Sequence, residues 1–222
     1  MDVVFDYLKQ IFNQNGYRLY MIGSTSRDYL LKREIKDYDF VSDATPDEIL
    51  KFLDCDKTFK KFGTLKYKYN NFNIDIVTLR KEANYQDYRH PSKITFIKDI
   101  NNDYQRRDFT INAIYIDENY NVLDPSNLGV SDLNNRILRL IGNKDERIKE
   151  DPLRILRAKR FILEYNLNVE EETKQALENN LFLLNKLNKD KIHLEELKLE
   201  KIKNEIWKFE SIRFWIFIIG IL

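Results

Sequence analysis

Two rhythms of apolar and polar residues run along this chain, and the change between them divides it. Val3–Phe12 repeats its apolar positions at helical spacing, and Asn13–Gly16 ends that run. Arg18–Ile22 then reads as a strand, Gly23-Ser24 as a turn, Ser26–Lys32 as a short helix and Tyr38–Val41 as a second strand. Thr45 before Pro46 is a helix start, with Thr45 as N-cap, and the helix is expected to reach about Leu53. Lys66–Tyr69 and Phe72–Leu79 read as strands joined at Asn70-Asn71, a hairpin signal. Arg80–Ser92 is polar, has no clear period and contains Pro91; it is expected to be a mobile loop before a strand at Ile94–Ile97. Phe109–Ile114 starts helical, and Ala113–Ile116 with Val122–Leu123 supplies the last sheet elements. From about Asp145 the period is helical, over Glu150–Tyr165, Val169–Asn179 and His193–Phe209. The expected fold is α+β: a mixed sheet flanked by helices in a head over residues 1–135, an all-helical neck over 136–210, and an apolar segment over 211–222.

Composition narrows the chemistry. The 222 residues are 43% hydrophobic and 33% charged, a globular balance with room for a catalytic domain and a helical annex. The net charge of +1 does not announce nucleic acid, but a local basic groove suffices to attract a phosphate backbone. One cysteine, Cys55, excludes an intramolecular disulfide, and one cysteine with two histidines argues against a zinc enzyme. The N-terminal run mixes Asp2, Asp6 and Lys9 into its apolar positions and so is an amphipathic helix rather than a leader. Phe214–Leu222 is apolar but shorter than the about 20 residues that span a bilayer. No membrane is expected, and a reducing cytoplasm is the expected location. The favoured reading of Phe214–Leu222 is a buried helix; a homodimer contact or a docking segment for a helper partner are the others.

The first chemical signal is Asp37-Tyr38-Asp39. Residues i and i+2 of a strand project to one face, and two carboxylates so placed repel unless a cation lies between them. Hard oxygen ligands suit Mg²⁺. Alone, the pair also fits a solvated strand end. Just upstream, Gly23-Ser24 stands between a strand and a helix, where backbone N–H groups aim at an anion, and Arg27 follows one turn later. Asp75 lies in the otherwise apolar Phe72–Val77 and either needs a partner or shares a solvent face with Asn73.

The second signal is arginine. Arg106 and Arg107 precede a mostly apolar stretch that Asp108 could cap, and arginine suits phosphate through bidentate, charge-assisted bonds. A basic surface turn fits the same residues. Further on, Asp151 is a natural N-cap with Pro152 at the first position, and Arg154, Arg157 and Arg160 recur every three residues along the helix. Asp151 beside Arg154 offers an acceptor and donors, the equipment needed to read a base edge.

Taken together these motifs resemble the class II tRNA nucleotidyltransferases (CCA-adding enzymes) and the related bacterial poly(A) polymerases, of the polymerase-β-like superfamily. The matching segments are IGSTSRDYLLKREIKDYDF (22–40), IDIVTLRKE (74–82), RRDFTINAIYID (106–117), DPSNLGVSDLNNRIL (124–138) and EDPLRILRAKRF (150–161), in the family's order. The resemblance implies that Asp37 and Asp39 bind two Mg²⁺ ions and that Asp75 is the third catalytic acid. It implies a nucleotide-binding set of Gly23, Ser24, Arg27, Arg106, Arg107, Asn112, Asp151, Arg154, Arg157 and Arg160. Within it, Ser24, Arg27 and Arg107 resemble triphosphate and sugar contacts, and Asp151 with Arg154 the pair that selects C and then A without a template. The implied substrates are CTP, ATP and the 3′ end of a tRNA. Arg80–Ser92 resembles the flexible loop linked to the switch from CTP to ATP, and LKLEKIKNEIWKF (197–209) a later helix motif. This chain has Gly23-Ser24 where the family usually has two glycines, and Ser26 where it usually has valine. It also stops soon after the helical neck, where family members usually continue. Partial CC or A addition, poly(A) addition and a non-catalytic RNA-binding relative are the other functions these motifs fit.

Overall fold

Each element forms where apolar spacing and a local stop signal agree. The computed structural model describes residues 2–85 and 91–219. Helix α1 (Val3–Gln14) starts at Asp2, whose side chain accepts a hydrogen bond from the Phe5 amide, and it buries Val4, Phe5, Leu8 and Phe12. Strands β1 (Leu19–Met21), β2 (Tyr38–Ser42), β3 (Thr64–Tyr69), β4 (Phe72–Thr78), β5 (Arg80–Tyr85), β6 (Pro91–Phe96), β7 (Tyr115–Ile116) and β8 (Val122–Leu123) follow in the head. Six of them form one sheet in the order β3-β4-β2-β1-β7-β8. Only β2 and β4 pair in parallel; the other pairs are antiparallel, so the sheet is mixed.

Helix α2 (Gly23–Leu30) begins at Gly23 itself, so Gly23-Ser24 is the first turn of a helix and not a separate turn. Helix α3 (Pro46–Ile49) has the expected Thr45 cap in a full capping box with Glu48, but ends at Ile49 and not near Leu53. The hairpin of β3 and β4 turns at Asn70-Asn71, with Asn70 at φ +53°, a left-handed conformation that asparagine tolerates. The expected loop over Arg80–Ser92 is instead mostly sheet: β5 and β6 pair antiparallel from Arg80↔Phe96 to Tyr85↔Pro91, and residues 86–90 lie outside the described residues. Its polar composition hid β5, which shows too few apolar residues for a period of two, while the strand expected from Ile94 is the second half of β6. Past helix α4 (Ile100–Asp103), the expected helical start at Phe109–Ile114 is a single 3₁₀ turn, Thr110–Asn112.

Helices α5 (Gly129–Asn134), α6 (Lys144–Glu150), α7 (Leu153–Tyr165), α8 (Glu171–Asn179) and α9 (Lys189–Ile219) complete the chain. The expected helix from Glu150 is therefore two, since α6 ends at Glu150 and α7 opens after Asp151-Pro152. Asp151 still caps α7: its Oδ1 accepts from the Leu153 amide at 3.1 Å. Strands β9 (Ile137–Leu138) and β10 (Asn168–Val169) form one short parallel pair within this helical region. The C-terminal apolar segment continues α9 as far as Ile219; residues 220–222 lie outside the described residues.

One face of the sheet packs on α1 and α3 through Phe5, Leu8, Phe12, Phe40, Ile49, Leu65, Ile74 and Ile76. The opposite face carries a smaller cluster of Tyr20, Ile22, Val41, Leu79 and Tyr115. A third core joins Phe109, Ile111 and Ile114 to Leu140, Ile155, Phe161 and Tyr165, so head and neck share apolar packing. Among the described residues no helix is long and apolar enough to cross a membrane.

Candidate active site

Sheet register builds the acidic centre. In the parallel pair Asp39 stands level with Asp75, while Phe40, Ile74 and Ile76 point into the core behind them. Asp37 lies one residue before β2 and accepts a hydrogen bond from Asn73 Nδ2 at 3.5 Å. Asp39 is oriented by α2: its Oδ2 accepts from the Ser24 amide at 3.2 Å and from the Ser24 hydroxyl at 2.6 Å. Its own amide donates to Thr25 Oγ1 at 2.6 Å. Gly23 sits at φ +62°, and a Cβ there would stand 3.0 Å from Asp39 Oδ2, so this position requires glycine. Position 24 has no such limit, and the serine spends its hydroxyl on Asp39.

Asp75 pairs with Lys66 at 3.2 Å and is half-exposed. Burial raises its carboxyl above the ordinary value; Lys66 opposes this, and the charges of Asp39 and Asp37 add to the rise. Three carboxylates with one lysine against them leave negative charge uncompensated. No group of three His, Cys, Asp or Glu side chains is gathered as a ready metal cage among the described residues. The donor set nonetheless fits a hard cation that takes one or two carboxylates from protein and its remaining oxygens from phosphate and water. Cys55 is buried, which pushes its thiol to about 11, so it is no nucleophile.

The arginines assemble in two further groups. Arg27, one turn into α2, is buried against the rings of Phe161 and Tyr165, each 4.9 Å away, and donates to Asn112 Oδ1. Asn112 in turn donates to Asp108 Oδ1 at 2.7 Å, and Asp108 Oδ2 takes Arg157 Nη2 at 2.6 Å. Burial works to raise the Asp108 carboxyl, but Arg157, Asn112 and the Phe109 amide outweigh it and hold it below the ordinary range. Phe161 has three guanidiniums about its ring, from Arg27, Arg157 and Arg160, at 4.9, 5.6 and 4.4 Å. Arg160 also reaches Glu195 of α9 at 3.1 Å. Arg154 is buried and donates to the Arg147 carbonyl and to Glu150.

Arg106 and Arg107 converge on a different acid. Asp103 is 0% exposed and accepts from the Arg80 amide, Arg106 Nε, Arg107 Nε and the Tyr115 hydroxyl at 2.7–3.0 Å. Burial would raise its carboxyl, and Arg106 and Arg107 outweigh that and lower it. Arg147 then ties α6 to the same turn through the carbonyls of Arg106 and Arg107.

Of the residues singled out in the sequence, the structure thus gathers Gly23, Ser24, Asp37, Asp39 and Asp75, and separately Arg27, Asn112 and Arg157, with α2 joining the two groups. Thr25, Asp103, Arg147 and Lys66 were not foreseen. Asp103 had a signal, an acid three and four residues before two arginines; Thr25 had none. A hollow of about 470 Å³ lined by Tyr29, Lys32, Arg33, Tyr38 and Phe72 lies beside β2 and contains none of the three carboxylates.

A mixed sheet with carboxylates on neighbouring strands, beside a helix N-terminus and a bank of arginines, is the build of a nucleotidyltransferase head. The chain belongs to the family of the poly A polymerase head domain, whose model matches residues 19–139. Over 194 residues it is 40% identical to a CCA-adding enzyme of Staphylococcus haemolyticus, covering 86% of this chain and 48% of that one. Its fold is similar to the crystal structure of the Bacillus stearothermophilus CCA-adding enzyme in complex with CTP, at TM-score 0.79 and 30% identity over 90% of this chain and 49% of the other. It is also similar to a tRNA nucleotidyltransferase complexed with a primer tRNA and an incoming ATP analog, at TM-score 0.70 and 28% identity, covering 92% and 60%. The chain spans about half the length of the curated relatives it matches.

Proposed function

We propose that the chain adds C, C and A to the 3′ end of tRNA from CTP and ATP without a template, releasing pyrophosphate. The observation that carries this is the register that sets Asp39 level with Asp75, with Asp37 alongside, next to the arginine bank. The RNA 3′-hydroxyl attacks the α-phosphorus of the nucleotide, the new P–O bond forms and the bond to pyrophosphate breaks. Asp37 and Asp39 would hold Mg²⁺, and Asp75 lies beside them as the third acid. When bound, the ions supply positive charge to the attacking and leaving oxygens. Ser24 keeps Asp39 in place, and Arg27 with Arg157 forms the cationic wall nearest α2. Asp151 and Arg154 at the start of α7 are the proposed base-selecting pair; Glu150 and the Arg147 carbonyl hold Arg154 in place.

The deciding experiment incubates the protein and Mg²⁺ with tRNA that ends before CCA, and with CTP, ATP or both. The expected result is CC with CTP alone and a terminal A only with both. A long A tail would make the chain a poly(A) polymerase, and CC or A alone a partial enzyme. No incorporation under any condition would leave a non-catalytic RNA-binding relative.

A further inference from the structure

Two substrates that both carry phosphates must meet at one acidic centre, and the order of the strands says how they are kept apart. On the β1 side of Asp39 stand the N-terminus of α2 and the arginines. On the other side β4 is followed by β3, the edge strand, whose outer side carries, among the described residues, a single backbone bridge from Asp56 to Lys66. Across that edge the register sets Lys66 level with Asp75 and Lys68 level with Asn73, which holds Asp37. Leu65, Tyr67 and Tyr69 turn the other way, into the core. The lysines therefore extend the carboxylate face outward, in the rows Lys66–Asp75–Asp39 and Lys68–Asn73–Asp37.

The charge there is concentrated. Residues 57–68 hold Lys57, Lys60, Lys61, Lys66 and Lys68 and no acid, in a chain whose net charge is only +1. Lys60 is spent on Asp47 and Lys66 on Asp75, but Lys61 and Lys68 are exposed and make no ion pair among the described residues. Phe59, on the turn leading into β3, is 44% exposed, with Lys66 Nζ 5.7 Å from its ring centre. Lys66 at the exposed Phe59 ring, with exposed Lys61 and Lys68 in the same segment, suits a single nucleic-acid strand: point charges for successive phosphates and a face on which any base stacks. Lysines on an edge strand also discourage strand-to-strand association, but that service does not need them level with Asp75.

Building on the nucleotidyltransferase reading, we propose that β3 and the turn before it are the track for the acceptor RNA strand. Lys61, Lys66 and Lys68 hold its backbone phosphates and Phe59 stacks one of its bases. The 3′ end reaches the carboxylates from the β3 side, and the triphosphate is held from the α2 side. The two polyanions occupy opposite cationic banks and do not compete.

The test leaves Lys66 untouched, because it contacts Asp75. Lys61→Ala/Lys68→Ala and Phe59→Ala are compared with wild type and with Lys174→Ala, an exposed control on α8. Binding of tRNA lacking CCA is measured across a salt series, and the KM for CTP in parallel. The double variant is expected to weaken tRNA binding about tenfold and to flatten the slope of log Kd against log salt by about 1.5–2. Phe59→Ala is expected to weaken it about fivefold or more. The KM for CTP stays within about twofold of wild type, and the control keeps wild-type tRNA affinity. Lys61→Gln/Lys68→Gln, which keeps the stems, substitutes for the double variant if the latter misfolds. Wild-type tRNA affinity and salt slope in these variants, with CTP still incorporated, would overturn the track alone. A wild-type protein that neither binds nor incorporates CTP would overturn the track together with the function on which it rests.

Discussion

Aspartates at two places in this molecule shift in opposite directions. Asp75, in β4 between the edge strand and β2, is pushed up by burial and by its acidic neighbours, with Lys66 alone opposing. Asp103 and Asp108 are buried more deeply, yet their arginine partners and hydrogen bonds hold them down. The carboxylates of β2 and β4 carry negative charge that one lysine leaves uncompensated. In the arginine groups the guanidiniums already meet Asp103 and Asp108, while Arg27 Nε is buried without a hydrogen-bond partner. A nucleotide that binds there must use guanidinium edges that Asp103, Asp108, Glu150 and Glu195 leave over.

This contrast can be broken from either side. Asp39→Ala removes a proposed metal ligand together with the two hydrogen bonds its half-buried carboxylate accepts from Ser24. Incorporation is expected to fall about 10⁴-fold, near 5 kcal/mol of barrier, while the denaturation midpoint stays near wild type. Wild-type rates would refute the metal assignment. Asp103→Asn does the reverse, leaving Arg106 and Arg107 facing each other in a buried place. Urea unfolding is expected to show a loss of about 3 kcal/mol. A carboxyl held below its unfolded value lends stability above about pH 4, and that stability is lost as the pH falls through the folded value. Wild type should therefore weaken steeply under acid, and Asp103→Asn less steeply; parallel profiles would remove Asp103 from this role.

Finer changes sharpen the contrast. Arg154→Ala is expected to disturb the choice between C and A about tenfold, read as the ratio of kcat/KM for CTP and ATP; an unchanged ratio would count against base reading. Asp75→Asn should be the smallest and the most telling. A carboxyl held above its unfolded value costs stability at neutral pH, so removing its charge should raise the metal-free Tm by about 1–2 °C, the cost being screened at a half-exposed site. The same variant should lose activity. A fall in Tm would show that Lys66 outweighs the acidic neighbours.

The strands and helices whose apolar period is strong were legible before the structure: α1, β2, the β3–β4 hairpin with its Asn70-Asn71 turn, α7 and α8. The carboxylates were legible because DxD alternation and strand geometry share a period of two. What was hidden depends on partners distant in sequence. Asp108 read as a helix cap because Arg157, 49 residues on, cannot be paired with it by spacing. Arg27 read as a phosphate contact, and its seat against Phe161 and Tyr165 depends on how α7 crosses α2. Strand β5 and the first residues of β6 were hidden because polar strands carry little pattern, whereas Ile94–Phe96 of β6 was expected as strand.

The turn at Asn70-Asn71 reaches further than its size suggests. It sets the count between β3 and β4, and side chains in a strand alternate sides with every residue. A one-residue slip of β3 against β4 would turn Lys66 and Lys68 inward and bring Leu65, Tyr67 and Tyr69 out beside Asp75. The greasy and the charged faces of that strand would trade places without any change at an acidic position. The two asparagines thus act as the ratchet tooth that decides which side of the strand lies beside the carboxylates.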